Sequence, residues 1–197
     1  MRHPAPKDHD VLYNWLYQNA GRTPFWEFPE TIPGEDLRLE RMTFENYQEL
    51  VSVFADDENP FVEQQFRQLD TLYEYVGYLM AIFPYHGKHG GADYLVYPTG
   101  EHLPAGIVHL YDLNIETDKK DRAFIGFQIG SAHRGTSVGH RAVSALEGYA
   151  LEQRGLERLY ATTLIDNIGS INFLLRRGYR RIESEGPHCE FLLTRPG

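Results

Sequence analysis

Arg134-Gly135-Thr136-Ser137-Val138-Gly139, followed 28 residues after Gly139 by Asn167-Ile168-Gly169-Ser170, decides the reading of this chain. The first run has the residues of a strand-to-helix turn. Its glycines let backbone approach a bound group closely. A helix start offers unpaired N–H groups at the positive end of a dipole, and together these hold an anion. Taken alone, such a turn is an ordinary strand–helix connection. It is neither a Walker loop nor a G-x-G-x-x-G dinucleotide turn. The second run adds the missing weight. Asn167 can cap another helix, Ser170 falls in its first turn, and Arg177-Gly178-Tyr179 ends it.

Outward from these turns the pattern is strand, helix, strand, helix, strand. Val138, Ala142, Ala145, Leu146 and Tyr149 form a helical stripe, with Gly155 just past its end. Arg158–Leu164 reads as a strand, and Ile171, Leu174 and Leu175 mark the next helix. Tyr179–Glu183 and Cys189–Leu193 read as the last strands. Before the first turn, Tyr94–Tyr97, Ile107–Leu113 and Arg122–Ile129 read as an antiparallel meander. Leu37 to Met42 alternates as a strand, and Thr43 is expected to cap a helix reaching Phe54. Phe44, Tyr47, Leu50, Val51 and Phe54 would face inward. Phe61 to Ile82 is expected to be one helix, with Phe66, Leu69, Tyr73, Val76 and Met80 along it and Gly77 as a weak point. The fold class is therefore α/β, a mixed sheet flanked by helices. Residues 35–197 form its domain. Residues 1–34, rich in Pro and aromatics such as Trp15, Phe25, Trp26 and Phe28, form an extension that packs on it, arms a homodimer or walls a pocket.

Composition narrows the function. A chain of 197 residues can bury a sizeable core, and 42% hydrophobic against 24% charged is an ordinary globular balance. The net charge of −9 disfavours nucleic acid and suits a cationic partner such as an amine. No run approaches the ~20 apolar residues of a membrane span, and no signal peptide is visible. One cysteine, Cys189, excludes an internal disulfide and fits a reducing, cytoplasmic setting. His86 and His89 sit in a glycine loop that lacks further ligands, so no metal is expected.

Two anion-ready helix starts beside parallel strands suit coenzyme A. Its pyrophosphate would take the first turn, and its pantetheine amides would pair with backbone exposed between separating strands. The same residues resemble the GNAT acetyltransferase superfamily, closest to its RimJ/RimL-like ribosomal-protein N-acetyltransferase branch. Ile125-Gly126-Phe127-Gln128-Ile129 resembles that family's fourth strand, and Arg134 to Gly139 its Q/R-x-x-G-x-G/A motif. Asn167-Ile168-Gly169-Ser170 with Gly178-Tyr179 resembles its N-x-x-S…G-F/Y motif. The resemblance covers about residues 36–197 and implies a GNAT-type fold with a partly split sheet.

It further implies an acetyl-CoA-dependent N-acetyltransferase acting on a primary amine, either a small molecule or a protein N-terminus. Gln128 and Ile129 would offer backbone to pantetheine. Arg134, Gly135, Thr136, Ser137, Val138 and Gly139 would hold pyrophosphate, and Asn167 and Ser170 would flank the cofactor arm. Three positions depart from the family pattern. Ser137 replaces the middle glycine, Phe124 stands where many members carry Glu, and Leu174 where others carry a Tyr general acid. Ser170 is the expected proton donor to the leaving thiolate. Glu190, Asp112 and His109 are the acids and bases near the expected acceptor channel, each more often a structural residue than a catalyst. A non-catalytic acyl-CoA-binding module is the alternative these departures support.

Overall fold

The computed structural model describes residues 28–81, 90–113, 122–182 and 186–195. Among the described residues eight strands form one sheet in the order β1-β2-β3-β4-β5-β6-β8-β7. They are β1 (Thr31–Gly34), β2 (Leu37–Arg41), β3 (Gly90–Pro98), β4 (Gly106–Leu113), β5 (Arg122–Ile129), β6 (Arg158–Leu164), β7 (Arg180–Ile182) and β8 (His188–Thr194). Among the described residues four helices flank it: α1 (Gln48–Phe54), α2 (Leu69–Ala81), α3 (Val138–Gly148) and α4 (Ile168–Arg176). The first five strands run as an antiparallel meander, and β5 and β6 are the parallel pair that carries the two turns at their ends.

Alternation along the strands supplies two cores. Leu39, Tyr94, Val96, Val108, Leu110 and Ile125 point to the side covered by α3, where Ala142, Val143 and Leu146 are buried. Leu95, Tyr97 and Ile107 point to the other side, against Leu50, Phe54, Phe66, Leu72 and Val76. A sheet covered on both faces has no solvent-facing strand side in its centre, which is why β3 and β4 read as near-continuous apolar runs.

β5 and β6 pair only over Arg122–Phe124 and Arg158–Tyr160. Beyond that point they part, while β5 stays bonded to β4 as far as Ile129 and β6 to β8 as far as Leu164. The edge of β5 from Ile125 to Ile129 therefore faces a gap.

Several expectations shift by a turn. Thr43 Oγ1 accepts from Glu45 N, but regular helix begins only at Gln48, and Phe44 is 43% exposed rather than buried. The single helix expected from Phe61 to Ile82 is broken: Gln64–Phe66 is a short 3₁₀ turn and α2 starts at Leu69, itself partly exposed. Arg67 explains the break, since its guanidinium donates to the Asp57 and Asn59 carbonyls and pulls this turn onto the preceding loop. α3 runs on through a π-helical turn, Tyr149–Gln153, and Gly155 follows at φ +72°. β1 lies inside the stretch read as an extension, with Phe28 and Ile32 buried in the core. Residues 1–27, His86 and His89 lie outside the described residues, as does the Asp112 side chain.

Candidate active site

Two cavities open along the gap between β5 and β6. One, of about 700 Å³, is walled by the first turn and helix α3; the other, of about 740 Å³, reaches toward β3 and β4. They share Phe61, Val62, Phe127, Gln128, Asn167 and Ser170, so the two meet where the strands part.

The first cavity presents groups suited to an anion and an amide. Gly135 has φ +77°, a conformation that L side chains rarely adopt, and open space lies where a side chain would stand. This turn delivers the chain into α3, whose first N–H groups have no helical partner. Thr136 steadies it: its hydroxyl donates to His133 O at 2.7 Å and accepts from Val138 N at 3.3 Å. Gly139 lets α3 close on Ile129, whose Cγ1 would be 3.2 Å from any Cβ placed there. Across the gap, Asn167 Oδ1 accepts from Ser170 N at 3.2 Å and caps α4 as expected.

Eight of the ten predicted cofactor residues line this cavity: Gln128, Ile129, Arg134, Gly135, Thr136, Gly139, Asn167 and Ser170. Ser137 sits exposed at the α3 N-cap without a side-chain cap bond, and Val138 turns into the core, so neither walls it. Arg134 differs from expectation. Its guanidinium is paired with Asp57, which is only 4% exposed. Burial would raise the Asp57 pKa, but the Arg134 bond and charge, the Asn59 N–H and Arg67 outweigh it and hold the carboxyl below its usual range. Arg134 thus ties the turn to the 56–60 loop, and much of its charge is already compensated. Arg176, exposed at the rim with no ion-pair partner among the described residues, is a cation the sequence reading missed. Its place at the last residue of α4, three residues after Phe173, was the available signal. Arg177 also lines the cavity, but its guanidinium is committed to Glu147, Ser144 and the His140 carbonyl. Tyr179 donates to the same Glu147 at 3.0 Å.

The second cavity holds a buried polar cluster. Tyr75 donates to Asp93 Oδ2 at 2.7 Å, and His109 Nδ1 lies 2.9 Å from the same oxygen, off the hydrogen-bond axis. Burial and the Asp93 charge push the Tyr75 phenol far up, so it remains a donor. Of the expected catalytic residues, Ser170 lines both cavities and His109 the second. Glu190, half-buried on β8 opposite Thr162 and Ile182, lines neither. Phe124 stacks between Tyr111 and Tyr160 at the last paired position before the split. Leu174 is buried and can move no proton. Among the described residues no group of three or more His, Cys, Asp or Glu side chains is arranged to hold a metal.

A split parallel strand pair, a helix start suited to an anion on one side and a pocket holding a buried polar cluster on the other fit an acyltransferase frame. Residues 36–180 match the family model described as the acetyltransferase (GNAT) domain. The chain belongs to the GNAT acetyltransferase family and is an N-acetyltransferase.

Solved structures show the same fold. Mycobacterium smegmatis RimJ in complex with CoA-disulfide has a TM-score of 0.68 at 17% identity, covering 88% of this chain and 90% of that one. RimL, the ribosomal L7/L12 alpha-N-protein acetyltransferase in complex with coenzyme A, has a TM-score of 0.67 at 15% identity, covering 84% and 98%. Ribosomal-protein-S5-alanine acetyltransferase from Vibrio fischeri has a TM-score of 0.65 at 15% identity, covering 84% and 96%. No curated protein matches the chain by sequence. No helix among the described residues is long and apolar enough to cross a membrane.

Proposed function

We propose that this protein acetylates a primary amine, preferentially the α-amino group of a protein or peptide N-terminus. The meeting of two cavities at Phe127, Gln128, Asn167 and Ser170 carries the reading, because it lets donor and acceptor approach one point from separate entrances. Holding both reactants at one point is itself a large part of such catalysis. RimL's name as an alpha-N-protein acetyltransferase favours a protein N-terminus, and that of the S5-alanine enzyme a protein acceptor. So does chemistry, since an α-amino group has pKa near ~8 and a lysine-like amine near ~10. The net charge of −9 favours a cationic acceptor of either kind.

The residues fit acetyl-CoA. The Gly135 turn and the α3 N-terminus would hold its pyrophosphate, with Arg176 as an added cation, and the free β5 edge would pair with its amides. Bound there, it supplies an activated acetyl thioester. A β5 backbone N–H near Gln128 would donate to the acetyl carbonyl oxygen. Ser170 would deliver a proton to the departing sulfur. A cytoplasmic setting, and pairing of two chains through the N-terminal stretch, belong to the same reading. Size measurement with and without residues 1–27 tests the pairing.

Leu174 favours one alternative, a binding module without turnover, because it leaves the usual acid position empty of a proton donor. Incubation with acetyl-CoA and peptides beginning with Ala, Ser or Met separates the two. Acetylated peptide with release of free thiol supports the transferase. Saturable acetyl-CoA binding without product across peptides and alkyl amines supports the module.

A further inference from the structure

We propose that His109 is the general base of this acetyltransferase, taking a proton from the acceptor's ammonium at Nε2, with Asp93 and Tyr75 as positioning residues. The inference rests on the acetyl-transfer reading and deepens it. It starts from a row of residues across the sheet. Asp93 on β3 is in register with His109 on β4, and His109 with Gly126 on β5. Cross-strand partners share a face, so the three stand side by side. The next row, Tyr111–Phe124–Tyr160, is the last one that β6 joins. The row of His109 therefore ends at the opening between β5 and β6, where both cavities lead.

Gly126 makes room for the imidazole. A Cβ there would stand 3.1 Å from His109 Cδ2, the ring carbon next to Nε2. Phe66 stacks on the ring at 5.7 Å between centroids and 14° between planes. Asp93, braced by Tyr75, faces Nδ1. Nε2 has no partner among the described residues although the side chain is 8% exposed. A buried ring nitrogen without a partner, in a cavity wall, costs free energy unless a ligand meets it. The groups facing the ring are Asp93 from β3, Tyr75 from α2, Glu63 and Phe66 from the segment before it, Tyr111 from β4 and Gly126 from β5.

Burial alone would lower the imidazole pKa; the charges of Asp93 and Glu63 reverse this, and the net displacement is upward from 6.5. That makes a stronger base, active above its raised pKa. The acceptor R–NH₃⁺ gives one proton to Nε2. The freed nitrogen lone pair forms the C–N bond as the thioester C–S bond breaks. The second N–H proton passes by way of Ser170 to the sulfur, and His109 returns its proton to water.

The test uses the full chain, acetyl-CoA and an Ala-initiated peptide. Histidine proton NMR of the free protein should place the His109 resonance, assigned by its loss in His109→Gln, at a pKa above 6.5, and Asp93→Asn should move it down. His109→Gln should bind acetyl-CoA as the wild type does while kcat falls about 100-fold or more. That defect should shrink above pH ~8, where the peptide amine is already neutral. In Asp93→Asn the acid limb of the wild-type profile should move to lower pH. An unmoved His109 pKa in Asp93→Asn, or an equal loss at every pH in His109→Gln, overturns the proposal. Failure of the wild type to bind acetyl-CoA overturns the acetyl-transfer reading, and the base falls with it.

Discussion

Arg134 shows how a residue can belong to a motif and still act differently from what the motif suggests. Its charge reads as a phosphate contact, yet the guanidinium is held by a nearly buried Asp57. Arg134→Ala would leave that carboxylate without its ion-pair partner, with the Asn59 N–H still bonded to it. A loss of about 2–4 kcal/mol at neutral pH is expected, below the usual range for a fully buried pair because Arg134 is partly exposed. Adding Asp57→Asn should recover most of it, as denaturant melts of the single and double variants would show. The pH dependence follows from the lowered Asp57 pKa. Its contribution is complete above the unfolded carboxyl pKa of ~3.9 and fades as pH falls through the lower folded value. The penalty of Arg134→Ala should therefore shrink toward pH 3. A penalty that is constant from pH 7 to pH 3 would show that the pair is not the cause.

At the same scale, Gly126→Ala separates positioning from folding. The added methyl meets a ring pinned by Phe66 and Asp93, and overpacking of this kind costs about 1–3 kcal/mol. Acetyl-CoA binding should persist while kcat falls. Unchanged kcat would mean that the ring is free to move or that its position does not matter. These residues were only partly legible in the sequence. His109 was visible as a histidine on a strand, but its partner Asp93 is 16 positions away, and only register brings the two together. Glu190 looked equally suitable, because its strand reaches the split; the walls of the cavities are formed without it.

Among the elements, the meander, the parallel pair and both helix starts were legible because each has a local cause: alternation, a positive-φ glycine, or an Asn cap. The break before α2 was not, because it depends on Arg67 reaching loop carbonyls rather than on the helical stripe. β1 was hidden for a similar reason, since Thr31-Ile32-Pro33-Gly34 carries breaker residues and becomes a strand by pairing at the sheet edge. The α4 cap supplies an element-scale prediction. Asn167→Ala should cost about 1 kcal/mol, and Asn167→Asp should retain the cap. Both stand in the wall shared by the cavities, so Asn167→Ala should also weaken acetyl-CoA binding. Thermal melts with and without cofactor separate the two losses. Equal melting temperatures for Asn167→Ala and wild type would remove the cap from the account.

For the molecule as a whole, the sheet does two jobs. It is continuous from β1 to β5 and from β6 to β7, and the short β5–β6 pairing lets the two halves part without exposing either core. The parting creates both the free β5 edge and the place where the two cavities meet. Acetyl-CoA bound across it should join the two halves and stabilise the fold. The measurement that tests this most directly is thermal denaturation against acetyl-CoA concentration, with adenosine as the control. At about 100 times the dissociation constant the account predicts ~2.7 kcal/mol of stabilisation, or roughly 5–10 °C for a chain of this size, saturable and reduced in Gly135→Val. A melting temperature unmoved at millimolar acetyl-CoA would contradict the split-sheet cofactor site and the transferase built on it.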